Sequence, residues 1–181
     1  MNLLKETLEL PDQDFLEWFW LKDTYEAPAE VPTILILHGL EGCARSNYVQ
    51  DLMRQLGSLG WRAVVMQYRN CGEKPNRLAQ SYHAMRWQEL DWTVENFRGR
   101  FPEAPIGVVG FSIGGSILLN WLGQNAIKNI AAACAISVPY KLAPCANRLN
   151  QGFSKIYQTY LMGRLKRSAL RKWALLKDTL G

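Results

Sequence analysis

Four short runs of apolar residues limit the architectures open to this chain. They are Thr33 to Leu37, Arg62 to Tyr68, Ile106 to Gly110 and Ala131 to Val138. Each is too short for a core helix and too continuously apolar for a strand with one wet face, so each is expected to be a strand covered on both sides. The stretches between them repeat apolar residues at helical spacing. Tyr48, Val49, Leu52, Met53, Leu56 and Leu59 lie between Ser46, a fitting cap, and Gly60, a fitting stop; Trp87, Leu90, Val94 and Phe97 precede Pro102; Ser112 to Leu122 follows the third run. Such alternation requires a mostly parallel sheet with helices on its faces, an α/β fold. The start differs. Glu6 to Leu10 alternates polar and apolar, Pro11 to Asp14 supplies turn chemistry and Phe15 to Leu21 is a second run, so an antiparallel pair is expected before residue 22.

The formal charge of +5 belongs to one end of the chain. Residues 1–140 hold 12 Lys and Arg against 15 Asp and Glu, whereas residues 141–181 hold nine basic residues against Asp178 alone. The mildly acidic body argues against a nucleic-acid partner, and no recognition motif accompanies the basic end. After Pro139 the pattern is helical only, with Phe153, Ile156, Tyr157, Tyr160, Leu161, Leu165, Trp173 and Leu176 as an apolar stripe. Residues 1–140 therefore form a core and residues 141–181 a basic helical segment. One reading of residues 153–177 is a helix touching a membrane surface, apolar on one side and Lys/Arg-rich on the other. No apolar run approaches the ~20 residues of a membrane span. The acidic opening is unlike a secretory signal, and Cys43, Cys71, Cys134 and Cys145 are scattered without CxxC pairs or partnering histidines. Reduced thiols, no metal site and a cytoplasmic location are expected.

The chemistry lies in Gly110-Phe111-Ser112-Ile113-Gly114-Gly115, a G-x-S-x-G pattern between an expected strand and an expected helix. A serine on so sharp a turn needs small residues two before and two after it. The turn lifts the hydroxyl above the sheet and leaves the Ile113 N–H at a helix N-terminus, aimed at developing negative charge. His38-Gly39-Leu40-Glu41-Gly42 closes the first parallel strand. Its Leu40 N–H is the natural second donor of an oxyanion hole, with Gly39 and Gly42 letting the backbone fold close to the serine. His38 has two readings, a catalytic base or a brace for this loop, and its place at the turn favours the brace.

These motifs, with Arg45 to Val49, Tyr68 to Gly72, Pro75 to Arg77, Ser81 to His83, Ala135 to Tyr140, Gly152 to Tyr157 and Tyr160-Leu161, resemble the YheT-type branch of the α/β-hydrolases over nearly the whole chain. The resemblance implies a carboxylesterase-like serine hydrolase acting on a small-molecule ester, with no cofactor. Ser112 would be the nucleophile, Leu40 and Ile113 the oxyanion donors, and His38, Gly39, Gly110 and Gly114 supporting residues. It also implies that residues 141–181 begin a cap over the active site, a reading preferred to membrane contact. The family order is nucleophile, acid, histidine. After Ser112 there is no histidine and only Asp178 as an acid, so the triad acid and histidine have no counterpart here. Against the family the chain is expected to be an α/β-hydrolase fold shortened at both ends, lacking its later strands. No sequence argument brings His83 to the serine. The alternative function is an inactive remnant or interaction module that works through its basic tail. Either way 131–138 is expected to be an exposed sheet edge prone to self-association.

Overall fold

A computed structural model describes residues 1–124 and 130–180, the side chains of 178–180 excepted. The chain runs β1 (Leu3–Glu9), β2 (Phe15–Leu21), α1 (Lys22–Tyr25), β3 (Thr33–Leu37), α2 (Asn47–Ser58), β4 (Arg62–Gln67), α3 (Gln88–Arg100), β5 (Ile106–Phe111), α4 (Ile113–Gln124), β6 (Ala132–Ile136), α5 (Leu142–Leu149) and α6 (Ser154–Leu180). One sheet holds all six strands in the order β1-β2-β4-β3-β5-β6. The β4-β3-β5-β6 run is parallel, and the β1-β2 hairpin joins it antiparallel through β2 and β4.

The continuous apolar runs are explained by two buried layers. Leu35 and Leu37 of β3, with Val64 and Met66 of β4, face Leu90, Val94 and Phe97 of α3 and Ile117, Leu118 and Trp121 of α4. Ile34 and Ile36, with Ala63 and Val65, point the opposite way onto Val49, Met53 and Leu56 of α2. Alternate residues of one strand thus serve opposite faces, and each fully buried aliphatic side chain contributes ~1.5–3 kcal/mol. Because α2 leaves β3 on one face and α4 leaves β5 on the other, a crevice opens beyond the carboxyl ends of these neighbouring strands.

A buried ionic cluster fixes the loops around that crevice. Arg69 pairs with Asp14 at 2.8 Å, Glu89 at 2.6 Å and Asp12 at 2.7 Å. Asp14 also accepts hydrogen bonds from the backbone N–H groups of Phe15 and Arg77 and from the Asn76 amide. Burial alone would raise the Asp14 pKa, but these donors and the Arg69 charge together hold it below the ordinary value. The cluster ties the β1–β2 turn to the 69–77 loop.

Three expectations need correction. The last strand is Ala132–Ile136, shorter than 131–138, because Ser137 takes a left-handed φ of 53° and turns the chain away. Ser46 stands at the N-cap of α2, but its hydroxyl accepts from the Cys43 N–H and leaves the helix N–H groups alone. The tail is two helices, and the face α6 turns inward is not the expected apolar stripe. Leu161 and Lys172 are buried, with Arg164, Leu165, Ser168 and Leu176 partly so, whereas Phe153, Ile156, Tyr157, Tyr160 and Trp173 are exposed. Polar bonds to loops seat this helix, and hydrophobic periodicity cannot register them.

Strand β6 pairs only with β5 among the described residues, and most of its positions are exposed. Light scattering across a concentration series is expected to show masses above the 20.6 kDa monomer, reduced by Ala133→Lys, which charges the edge. A monomer at every concentration would refute edge pairing. Asp14→Asn is expected to lower unfolding free energy at pH 7 by about 3 kcal/mol, since it uncouples a buried charge. The folded pKa of Asp14 is depressed, so its contribution is complete above ~4, the unfolded value, and is lost as pH falls through the folded one. Urea melts at pH 7 and pH 3 should therefore show the gap between the two proteins closing on the acid side.

Candidate active site

Ser112 sits between the end of β5 and the start of α4 with a φ of 52°, a left-handed conformation that is strained for any residue but glycine. The surrounding glycines make that turn sterically feasible. A Cβ on Gly114 would lie 2.5 Å from the Leu37 carbonyl oxygen and 2.7 Å from that of His38. One on Gly110 would lie 2.5 Å from the Gly114 oxygen, and one on Gly115 would meet Val138 at 2.6 Å. The first turn of α4 therefore rests on the backbone of β3, which no side chain would permit. The Ser112 N–H donates to the Ile136 oxygen at 2.8 Å, while its hydroxyl makes no hydrogen bond among the described residues.

Pairing of Leu37 with Gly110 brings the loop after β3 beside the serine. A Cβ on Gly39 would stand 3.5 Å from the Ser112 Cβ. Within this loop the Gly39 N–H donates to the Tyr48 hydroxyl at 2.8 Å, the Glu41 N–H to the Tyr82 hydroxyl at 2.8 Å and the Gly42 N–H to the Gly39 oxygen at 2.9 Å. The Leu40 N–H has no acceptor among the described residues, and neither has the Ile113 N–H that opens α4. Leu40 and Ser112 line one cavity of about 370 Å³ with Glu41, Tyr48, Phe111, Ser137, Tyr157, Tyr160, Leu161 and Arg164 among others; Ile113 is not part of its wall.

His38 is completely buried. Its Nδ1 lies 2.8 Å from the Gly39 oxygen, and its Nε2 faces two donors, the Gln67 amide at 3.3 Å and the Tyr68 N–H at 3.4 Å. That arrangement assigns the proton to Nδ1. Burial is the largest influence on the ring and lowers its pKa to about 4, so it is neutral at pH 7. Nδ1 is thus engaged by its own loop and Nε2 by the end of β4, so the ring ties the two together. His83 is exposed, and its Nδ1 accepts the Met85 N–H. Neither ring lines the serine cavity.

Nothing in the residue pattern marks Tyr48, Gln67 or Tyr82 as supports. The spacing of Tyr48 places it on the apolar face of α2, yet its hydroxyl accepts the Gly39 N–H. Tyr82 accepts from the Glu41 N–H and donates to the Glu41 carboxylate at 3.0 Å, and its ring stacks on Tyr68, which packs on His38. Burial pushes the Tyr48 and Tyr82 hydroxyls to higher pKa, keeping both protonated. Helix α6 closes the far side: Ser168 donates to Glu41 at 2.5 Å, Arg171 to the Asn70 oxygen at 2.9 Å, and Lys172 to the Asn76 oxygen. All four cysteines are free, Cys71 with its thiol pushed by burial to about 12, and the described residues contain no cluster suited to a metal ion.

Residues 32–181 match the family model described as the alpha/beta hydrolase fold. The chain is 35% identical over 176 residues to YheT of Escherichia coli, which carries the name of an esterase; the match covers 97% of this chain and 52% of that protein. It is 28% identical over 160 residues to mouse phospholipase ABHD3, covering 87% of this chain and 39% of the phospholipase. The chain thus spans about half the length of these relatives or less. The fold of the Pyrococcus furiosus esterase Pf2001 superposes with a TM-score of 0.66 at 20% identity, over 92% of this chain and 63% of that one. A lidless serine hydrolase, XC6422 of Xanthomonas campestris, gives 0.56 at 20% identity, over 68% and 57%.

The close approach at the turn can be tested with two alanines. Gly114→Ala places a Cβ against carbonyl oxygens and is expected to lower stability by roughly 1–3 kcal/mol. Gly123→Ala, at a helical site with open space around it, is expected to raise stability by up to about 1 kcal/mol. Urea denaturation of the two variants checks the contrast.

Proposed function

The chain belongs to the alpha/beta hydrolase fold family, and from that membership we propose that it cleaves carboxylic esters with Ser112 as nucleophile. The observation that carries this reading is the strained Ser112 turn opening into the same cavity as the unengaged Leu40 amide. The Ser112 Oγ attacks the ester carbonyl carbon, the carbonyl oxygen becomes an anion held by the Leu40 and Ile113 N–H groups, and the alcohol leaves with a proton. Water then hydrolyses the acyl-serine. The names of the relatives, an esterase and a phospholipase, support ester chemistry for the family. Residues 141–181 serve in this reading as the beginning of a cap, supported by the Ser168, Arg171 and Lys172 bonds to the loops around the serine.

The two histidines of the 181 residues are His38, with Nδ1 held by Gly39 and Nε2 by Gln67 and Tyr68, and His83, exposed and outside the cavity wall, so neither suits the general base. A serine without an imidazole is a weak nucleophile, and loss of triad members costs ~10⁴-fold or more in rate. The placement of His38 and His83 outside the serine cavity favours, as a second reading for these 181 residues, an interaction module on a hydrolase scaffold. A fluorophosphonate probe separates the two. The 181-residue chain is expected to be labelled slowly and at Ser112 alone, by mass spectrometry, and to hydrolyse p-nitrophenyl butyrate about 10⁴-fold more slowly than a serine hydrolase with a full triad. Absence of label at Ser112, or turnover that survives Ser112→Ala, would overturn the nucleophile assignment.

A further inference from the structure

Three arginines of α6, at positions 164, 167 and 171, fall on one helix face and line a cavity of about 180 Å³ with Glu41, Gly42, Asn70, Cys71 and Gly72. Glu41 is the one acid in that wall, and both its oxygens are taken by the Tyr82 and Ser168 hydroxyls. Arg171 is held by the Asn70 and Gly72 carbonyls and Arg164 by the Tyr160 hydroxyl, but Arg167 has no hydrogen-bond or ion-pair partner among the described residues. Like charges at this spacing repel, and the chain supplies little to offset them. Arg164, Glu41 and Gly42 belong equally to the wall of the serine cavity, so the two spaces adjoin.

A third space of about 390 Å³ meets the serine cavity at Leu40 and Glu41 and is chiefly apolar, with Leu165, Ala169, Trp173 and Leu176 along one side. Its cation, Lys172, is engaged with the Asn76 carbonyl. The serine cavity thus borders a basic compartment and an apolar one, and those two also share Glu41, Asn70 and Ser168 with each other.

Resting on the ester-hydrolase reading, we propose that the substrate is an anionic amphiphile: an ester whose phosphate or carboxylate group binds at Arg164, Arg167 and Arg171, while its hydrocarbon chain fills the cavity beside Leu165 and Trp173. Guanidinium groups suit either anion, since both accept paired N–H donors. The rim of arginines selects for charge, and the apolar space selects for chain length.

The test is equilibrium binding by calorimetry to the Ser112→Ala chain, with octyl phosphate, octanoate, octanol and octyltrimethylammonium at monomeric concentrations. Octyl phosphate or octanoate is expected to bind at least tenfold more tightly than the neutral and cationic ligands, and the tighter of the two names the anionic group. Inorganic phosphate should compete with it. Arg167→Gln, which removes no internal bond, is expected to abolish the tenfold preference without changing the melting temperature, and Arg167→Lys to restore part of it. Ala169→Trp should erase the gain from butyl to octyl chains while leaving competition by inorganic phosphate intact. Equal binding of all four ligands, or an unchanged preference in Arg167→Gln, would overturn the proposal. Failure of Ser112 labelling with the anion preference intact would sink the hydrolase reading alone; labelling without the preference would sink this one.

Discussion

The first turn of α4 lies against the carbonyl oxygens of Leu37 and His38 at a distance that admits no side chain. That backbone-to-backbone approach is the constraint from which the site follows. It requires glycine at 114, forces the chain through a left-handed Ser112, and sets that serine in the wall of a cavity beyond the ends of β3 and β5. The strain at Ser112 is held because what surrounds it is rigid: parallel strands in register on both sides and a helix whose Ile117, Leu118 and Trp121 are locked into the core.

The loop opposite is held by a different means. A glycine-containing turn has no packing of its own, so three polar side chains position it, one from within and two from other segments. His38 reaches back from within, Tyr48 comes from α2 and Tyr82 from the 70–87 loop, each taking or giving one backbone hydrogen bond. A charged His38 would lose its acceptor nitrogen and sit unpaired in the core, which is why its depressed pKa and its bracing role belong together. The Asp14–Arg69–Glu89 cluster does for the 69–77 loop what the tyrosines do for residues 39–42, and that loop receives Arg171 and Lys172. The seat of α6 thus depends on a salt bridge far from the serine.

Particular residues mark how far the chain could be read without coordinates. The four parallel strands and the helices between them were legible because burial on both faces leaves continuous apolar runs and helices leave periodic ones. Ser112 was legible because the pattern around it has a steric cause. Tyr48 and Tyr82 were not, since an aromatic at an apolar spacing looks the same whether its hydroxyl is used or idle. The inward face of α6 was misjudged for a related reason: Lys172 and Ser168 are turned in by hydrogen bonds to the Asn76 carbonyl and the Glu41 carboxylate, while Phe153 and Trp173 stay out.

The sequence by itself determined the α/β class, the succession of strands and helices along the chain and the turn at Ser112. These depend on local sterics and on the periodicity of burial, which neighbouring residues encode directly. Tertiary structure alone decided which nitrogen of His38 carries its proton, that Leu40 keeps the unengaged amide of its loop, and that a cavity lined by three arginines and an apolar one adjoin the cavity of the serine. Each of those depends on partners far apart in the chain, such as Gly42 with Arg167 or Glu41 with Ser168, whose meeting is set by how α6 crosses the loops and is written in no single segment.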